Sequence, residues 1–431
     1  MMLVYGLPLL AIWAAWIWLG RRKTRASLSV WDEAKQAGLT EPSSLHPVID
    51  PAYCLGCAAC VKACPEKSIL GIVDGKAKLI EPSHCVGHGA CATSCPTNAI
   101  TLVFGTETRG VDIPFVSPKF ETNVPGLFIA GELGGMGLIR NAIEQGRQAM
   151  DNIATKAKAA PKQAGVLDVL IVGAGPAGIS ASLGAKERKL NFCTIDQDSL
   201  GGTVAQFPRG KLVMTAPAEL PLHGKVMFSE VSKEKLLQFW YDVVDKNALE
   251  LNLEERVETI VREDELFRIT TSRGDYRARF VLLAIGRRGS PRKLGVPGEE
   301  QNKVVYRMID PAQYAGKRVL VVGGGDSAIE AATSIADEAG TTVTLSYRRD
   351  AFDRARSKNR ERLADAQSSG RLVVELSSQV ESISPDSVQL RTASGPKILP
   401  NDAVIVCVGG ILPTQFLKDI GISVETKYGT V

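Results

Sequence analysis

The first 20 residues carry no charged side chain, and Arg21, Arg22, Lys23 and Arg25 follow at once. At about 1.5 Å per residue such a run matches a hydrocarbon core of roughly 30 Å. Trp13, Trp16 and Trp18 stand near its basic end, where indole rings favour the membrane interface. One transmembrane helix is therefore predicted over 1–20. Basic residues after the helix place the remaining, soluble body on the cytoplasmic side of an inner membrane, single-pass. A cleaved signal peptide would instead carry its charge ahead of the apolar run and a small-residue cleavage site behind it. Residues 21–44 read as a linker. Farther along, short apolar runs such as Val169 to Val172, Phe192 to Ile195, Val319 to Val322 and Val343 to Leu345 alternate with helical patterns. Continuous apolar strands separated by helices predict parallel sheets buried on both faces, an α/β architecture.

A chain of 431 residues has room for about three domains. Its net charge of +4, from 51 basic and 47 acidic residues, provides no concentrated basic face, so nucleic acid is not expected as a partner. The cysteines change the picture more. Seven of the nine fall between Cys54 and Cys95, in short repeated spacings that suit a metal cluster in a reducing compartment better than a disulfide frame.

Cys54, Cys57, Cys60 and Cys64, followed by Pro65, form CxxCxxCxxxCP, and Cys85, Cys91, Cys95 and Pro96 repeat the offsets 31 residues later (85 − 54). A tight loop lets three thiolates converge on one cubane while the fourth ligates a second cluster. A zinc ribbon does not use this interleaved spacing. Where the second copy should carry its middle cysteine, the sequence offers His88. An imidazole ligand there removes one negative charge and raises the cluster potential. Alternatively His88 points to solvent beside a three-iron cluster, or the second site is only partly filled. The two copies, with Ile69 and Ile100 at equal distances after each CP, resemble the bacterial two-cluster ferredoxin over 45–105. By that resemblance the first cluster, [4Fe-4S], takes Cys54, Cys57, Cys60 and Cys95. The second, [4Fe-4S] or [3Fe-4S], takes Cys64, Cys85 and Cys91, with His88 as the candidate fourth ligand.

Asp168-Val-Leu-Ile-Val runs into a GxGxxG turn through Gly173, Gly175 and Gly178, and Asp196 ends the next apolar strand, 23 residues after Gly173. Glycines allow close backbone approach, the following helix aims its N-terminus at a pyrophosphate, and the acid holds ribose hydroxyls. The pattern recurs at Arg318-Val-Leu-Val-Val with Gly323, Gly325 and Ala328. Its second strand leads to Arg348 and Arg349 in place of an acid, which favours the 2′-phosphate of NADPH over NADH.

Two such folds in tandem, with Ala284-Ile-Gly286, Pro291 and Pro297-Gly298-Glu299 as a hinge and Val404 to Gly410 as a return strand, resemble the thioredoxin-reductase-like flavoproteins. The likeness covers about 166–425 and is greatest to members related to bacillithiol-disulfide reductases and thioredoxin-reductase-type ferredoxin–NADP reductases. It implies FAD, with Leu200-Gly-Gly-Thr203 as the loop beneath the flavin, so that Gly202 and Thr203 join the cofactor site. Two departures matter. No cysteine occurs between Cys193 and Cys407, so the family's redox-active CxxC is missing and thiol–disulfide exchange of that type has no means here. Cys193 and Cys407 read as packing residues in apolar strands. The family's closing strand and helix are also absent from the C-terminus. They occur instead as Glu121-Thr-Asn-Val-Pro-Gly-Leu-Phe-Ile-Ala-Gly-Glu132 and the helical run Leu138 to Ile153. The flavin domain thus looks circularly permuted, with Gly131 and Glu132 where the family has a glycine–aspartate pair on the ribityl chain.

The expected organisation is a membrane helix at 1–20, a linker at 21–44 and an α+β two-cluster domain at 45–105. The permuted part of the flavin domain follows at 106–153, a linker at 154–165, the FAD-binding domain at 166–300, the NADPH-binding domain at 301–405 and a return to the flavin domain at 406–431. Both nucleotide domains are Rossmann-like, three-layer ββα folds. The parts predict an NAD(P)H-dependent oxidoreductase that moves electrons between NADPH, FAD and two Fe-S clusters, and on to a ferredoxin-like, protein or quinone partner at the membrane. A flavin-site reductase of a small disulfide or quinone, fed by the ferredoxin module, is the other enzymatic reading, and a redox-sensing subunit without turnover a third. No triad or paired carboxylates point to an acid–base catalyst. Dimerisation is common in the resembled family, so a homodimer is compatible with the sequence, which leaves the oligomeric state open.

Overall fold

The computed structural model describes residues 2–36, 39–42, 45–66, 69–135, 137–158, 163–215, 217–228, 230–352, 355 and 357–429, apart from the side chains of 2–12, 16, 214, 357 and 358. These residues form two units, 1–111 with 426–431, and 112–425.

The first unit opens with one helix, Met2–Gln36, so the stretch expected as a linker is helical as far as Gln36. Its indole at Trp31 explains why. The Lys35 ammonium lies 3.5 Å from the ring centroid and that of Lys78 3.3 Å, a double cation–π contact that holds the last turns on the strand Lys76–Leu79. Much of the run expected to span a membrane has its side chains outside the described residues, and among the described residues no helix is long and apolar enough to cross one. Two antiparallel pairs follow, His46–Ile49 with Ile100–Val103 and Leu70–Val73 with Lys76–Leu79. Between them lie two short helices, Ala59–Ala63 and Ala90–Thr93, 31 residues apart (90 − 59) like the cysteines. Each starts from a left-handed residue, Ala58 at φ 60° and Gly89 at φ 74°. The internal repeat is therefore one of backbone conformation as well as of sequence.

The second unit holds two large sheets, beside a three-stranded sheet and three two-stranded pairs. In the seven-stranded one the strands run Leu251–Asn252, Phe192–Ile195, Leu167–Val172, Asp275–Leu283, Leu266–Thr271, Val257–Glu263, and Leu127–Ile129 also pairs in parallel with Asp275–Leu283. Leu127, Ile129, Leu170, Leu283, Leu417 and Ile422 share one core, so segments from both ends of the unit close over the same sheet. The helix Ile139–Lys158 packs on Pro176–Glu187, and Ser180 Oγ donates to the Ile143 carbonyl at 2.7 Å. It continues to Lys158, into the stretch read from sequence as a linker. A buried ion pair, Arg279 Nη1 to Asp168 Oδ1 at 2.9 Å, ties strand to strand, and Arg279 Nη2 donates to the Ala157 carbonyl at 2.9 Å. The second sheet, of five strands, runs Val304–Val305, Ala403–Val406, Arg318–Val322, Thr342–Ser346, Leu372–Glu375, all parallel.

Candidate functional site

In the first unit the cysteines sort into two groups. The charges of Cys54 and Cys57 reach the Cys60 thiol, which burial pushes up. Burial likewise raises Cys91, whose neighbours are Cys85 and Cys64, and Cys85, whose neighbours are Cys64 and Glu66. The Cys64 charge thus reaches Cys85 and Cys91, which stand in the other half of the repeat. His88 lines a small cavity with Cys64, Cys85 and Cys91. Cys54, Cys60, Cys85 and Cys91 are buried, whereas Cys57 is exposed.

Backbone amides point at the sulfurs: Ala77 N donates to Cys54 Sγ at 3.3 Å and Ala99 N to Cys95 Sγ at 3.3 Å. For Cys95 burial acts upward, but the hydrogen bonds of Thr97, Ala99 and Asn98 outweigh it and hold the thiol below its ordinary range. Among the described residues no three His, Cys, Asp or Glu side chains converge on a point that would hold a single metal ion. Thiol groups that are largely buried and bonded by backbone amides fit a cubane, which is wider than an ion and is gripped from around its edges.

In the second unit the turn after Leu167–Val172 carries Gly173 at φ +117°, where a Cβ would stand 2.4 Å from the Ala284 carbonyl oxygen. A Cβ on Gly178 would lie 1.7 Å from the Gly173 carbonyl oxygen, so the helix can start this close to the strand only with glycine there. Gly201 N donates to the Ala174 carbonyl at 3.0 Å, which seats the loop of Gly202 and Thr203 beside Gly175. Asp196 is buried and accepts from Ala174 N at 2.5 Å and Asp198 N at 2.8 Å. Burial raises its carboxyl and these amides oppose the shift. Gly131, at φ +83°, is bound through its amide to Gln145 Oε1 at 2.8 Å and lies against Ala177. Glu132 follows it, its carboxyl pushed up by burial and drawn back by Arg287 and Arg288. Gly173, Gly175, Gly178, Gly202 and Asp196 thus gather at one strand–helix turn, with Gly131 against the same helix at Ala177, and a tight glycine turn, a helix N-terminus and a fixed acid suit a dinucleotide.

The second glycine turn opens on a cavity of about 700 Å³. Gly323, Gly325 and Arg348 line it, and Ala328 is fully buried, its Cβ 3.0 Å from where a Cβ on Gly323 would stand. Arg349, expected at the same site, is half-buried and is not among the residues that line this cavity; its carbonyl accepts from Ser377 N at 2.9 Å. Reasoning from sequence missed four further cations on the wall, Arg288, Arg292, Lys293 and Arg307. The signal was present in the hinge, where four of seven residues between Arg287 and Lys293 are basic. With Arg348 these cations suit the pyrophosphate and 2′-phosphate of NADPH. Cys407 also faces this cavity, its thiol pushed up to about 11 by burial, and Cys193 is raised to about 11 by burial and by Glu255. Neither forms a disulfide.

Comparison with known proteins agrees with this division. Residues 170–431 match the pyridine nucleotide-disulphide oxidoreductase family, and residues 46–96 match the 4Fe-4S dicluster domain. A ferredoxin–NADP reductase of Ignicoccus hospitalis is 33% identical over 269 residues, 60% of this chain and 83% of the relative. One from Thermus thermophilus is 34% identical over 269 residues, 60% of this chain and 77% of the relative. Among solved structures, bacillithiol disulfide reductase from Staphylococcus aureus superposes with a TM-score of 0.50 at 25% identity, covering 59% of this chain and 80% of that one.

Proposed function

The chain belongs to the pyridine nucleotide-disulphide oxidoreductase family, and from that premise we propose that it moves electrons between NADPH and two iron–sulfur clusters by way of FAD, serving a partner at a membrane. It is an FAD- and pyridine-nucleotide-dependent oxidoreductase with a 4Fe-4S dicluster domain. The observation that carries the finer reading is the position of Arg288, which lines the 700 Å³ cavity and whose charge also reaches Glu132 at the other nucleotide turn. One residue bordering both sites supports a reading in which the two cofactors would be held next to each other. When bound, the flavin would take up two electrons together as one hydride and release them singly.

The residues of the chain do the rest. Gly173, Gly175, Gly178 and Asp196 bind the FAD dinucleotide, Gly202 and Thr203 support it, and Gly131 and Glu132 fix its ribityl side. Gly323, Gly325 and Ala328 admit the NADPH pyrophosphate, and Arg348 and Arg349 select its 2′-phosphate. Cys54, Cys57, Cys60 and Cys95 hold one cluster, and Cys64, Cys85 and Cys91 with His88 hold the other. The strand Leu127–Ile129 and helix Ile139–Lys158 belong to the flavin domain as its permuted closing segment, which links the cluster module to the flavin through a short connection in the chain. The exposed basic run at Arg21, Arg22, Lys23 and Arg25 supports a membrane tether, with a quinone or protein carrier as acceptor.

Anaerobic titration of detergent-purified protein with NADPH, followed by visible spectra and low-temperature EPR, tests this. Flavin bleaching followed by reduced-cluster signals is expected. Bleached flavin with clusters that only dithionite reduces would overturn the forward path, and recovery of the protein in the soluble fraction without detergent would overturn the tether.

A further inference from the structure

Positions 66 and 97 are equivalent in the 31-residue repeat (97 − 66), each two residues after the last cysteine of its half, yet one is Glu66 and the other Thr97. Thr97 Oγ1 lies 3.6 Å from Cys95 Sγ, and Ala99 N donates to the same sulfur at 3.3 Å. A ligating sulfur is a thiolate and can only accept, so the hydroxyl donates. Hydrogen bonds to cluster sulfurs draw off charge and favour the reduced form, which carries one more electron. Glu66 is exposed and stands two residues after Cys64, at the place where Thr97 reaches Cys95 in the other half of the repeat. A carboxylate beside a cluster opposes the arrival of an electron.

We infer that Thr97 and Glu66 tune the two clusters in opposite directions, Thr97 raising the potential of the cluster held by Cys95 and Glu66 lowering that of the cluster held by Cys64. This rests on the reading that the seven cysteines hold two clusters. Both residues act through the ligating cysteines and are tuning residues, not ligands. A neutral His88 ligand would pull the second cluster the other way from Glu66, so each contribution is read from its own substitution.

The test is a dithionite titration of the purified holoprotein with low-temperature EPR at each potential. Thr97→Val should lower one midpoint and leave the other in place, by up to about tenfold in the equilibrium for electron uptake, which for a one-electron couple is ~59 mV. Thr97→Ser keeps the donor and should keep the midpoint. Glu66→Gln removes the charge and should raise the other midpoint. Unmoved midpoints in Thr97→Val and Glu66→Gln, at native iron content, would overturn the inference. If Thr97→Val loses iron, an unmoved midpoint in Glu66→Gln overturns it instead. Dithionite supplies the electrons, so failure of transfer from NADPH leaves the readout intact, and iron too low for two clusters would mark failure of the cluster reading itself.

Discussion

Gly146 lies against the backbone of Ala177, where a Cβ would stand 2.1 Å from the carbonyl oxygen. This approach lets the helix Ile139–Lys158 lie on Pro176–Glu187, whose N-terminus faces the first nucleotide turn. Gly146→Val must push the helices apart. Overpacking of this kind costs about 1–3 kcal/mol, so a lower Tm is expected, together with a reduced flavin-to-protein ratio after gel filtration. An unchanged Tm and full flavin content would mean that the two helices do not pack this closely.

The Arg279–Asp168 pair is buried on both sides, and Asp168 Oδ2 also accepts from Asn191 N at 2.9 Å. Removing one partner strands a charge, at a cost of about 3–5 kcal/mol. Arg279→Met should therefore lower Tm strongly, and the double variant Arg279→Met with Asp168→Asn should lose less than the sum of the two singles. Additive losses in thermal unfolding would show that the pair is not coupled.

Sequence alone made the two glycine turns and the cysteine repeat legible because each is written in local spacing, whereas the strand Leu127–Ile129 was assigned to the flavin domain by resemblance. Gly173 and Gly178 are needed by their immediate neighbours in the fold, and such needs show in a short motif. The helical stretch to Gln36 was missed because half of the contact at Trp31 comes from Lys78, 47 residues away (78 − 31), and only the Lys35 half is local. The cavity cations were missed for a related reason. Arg288, Arg292 and Lys293 come from the hinge, and only the tertiary fold turns them toward the Gly323 turn. The pairing of Cys64 with Cys85 and Cys91 was reached by resemblance, and its physical basis, the approach of thiols from different loops, is visible only in three dimensions.

Arg348 lines the nucleotide cavity and is exposed toward it, whereas Arg349 shares its backbone with Ser377. A hydrogen bond to a charged group contributes about 1.5–3 kcal/mol, so Arg348→Ala should raise KM for NADPH by roughly 10- to 100-fold and leave KM for NADH nearly unchanged. Steady-state assays with a dye acceptor measure both. Equal losses with the two nucleotides would assign Arg348 to a group that they share.

Cys193 and Cys407 have thiols pushed up to about 11 from 9.0. Two units mean about 100-fold less thiolate at any pH below both values, and only the thiolate alkylates. At pH 8 both should react with iodoacetamide far more slowly in the folded holoprotein than after denaturation, as read by peptide mass spectrometry. The folded chain also keeps these protons between pH 9 and 11, where the unfolded chain has lost them, so stability should fall as pH rises through that window. Cys193→Ala with Cys407→Ala should flatten this fall, and an unaltered slope would remove the thiols as its source.

His88 faces the cavity that Cys64, Cys85 and Cys91 share, at the place where the first half of the repeat has Cys57. As a neutral ligand it leaves the second cluster one negative charge short of four-thiolate ligation, which raises its potential. His88→Cys restores the thiolate and should lower that midpoint in an EPR-monitored titration while the iron content stays that of two cubanes. His88→Ala leaves three thiolates and should yield a three-iron signal with less iron per chain. A midpoint indifferent to His88→Cys, or a three-iron signal already present in the native protein, would place the imidazole beside the cluster and not on it.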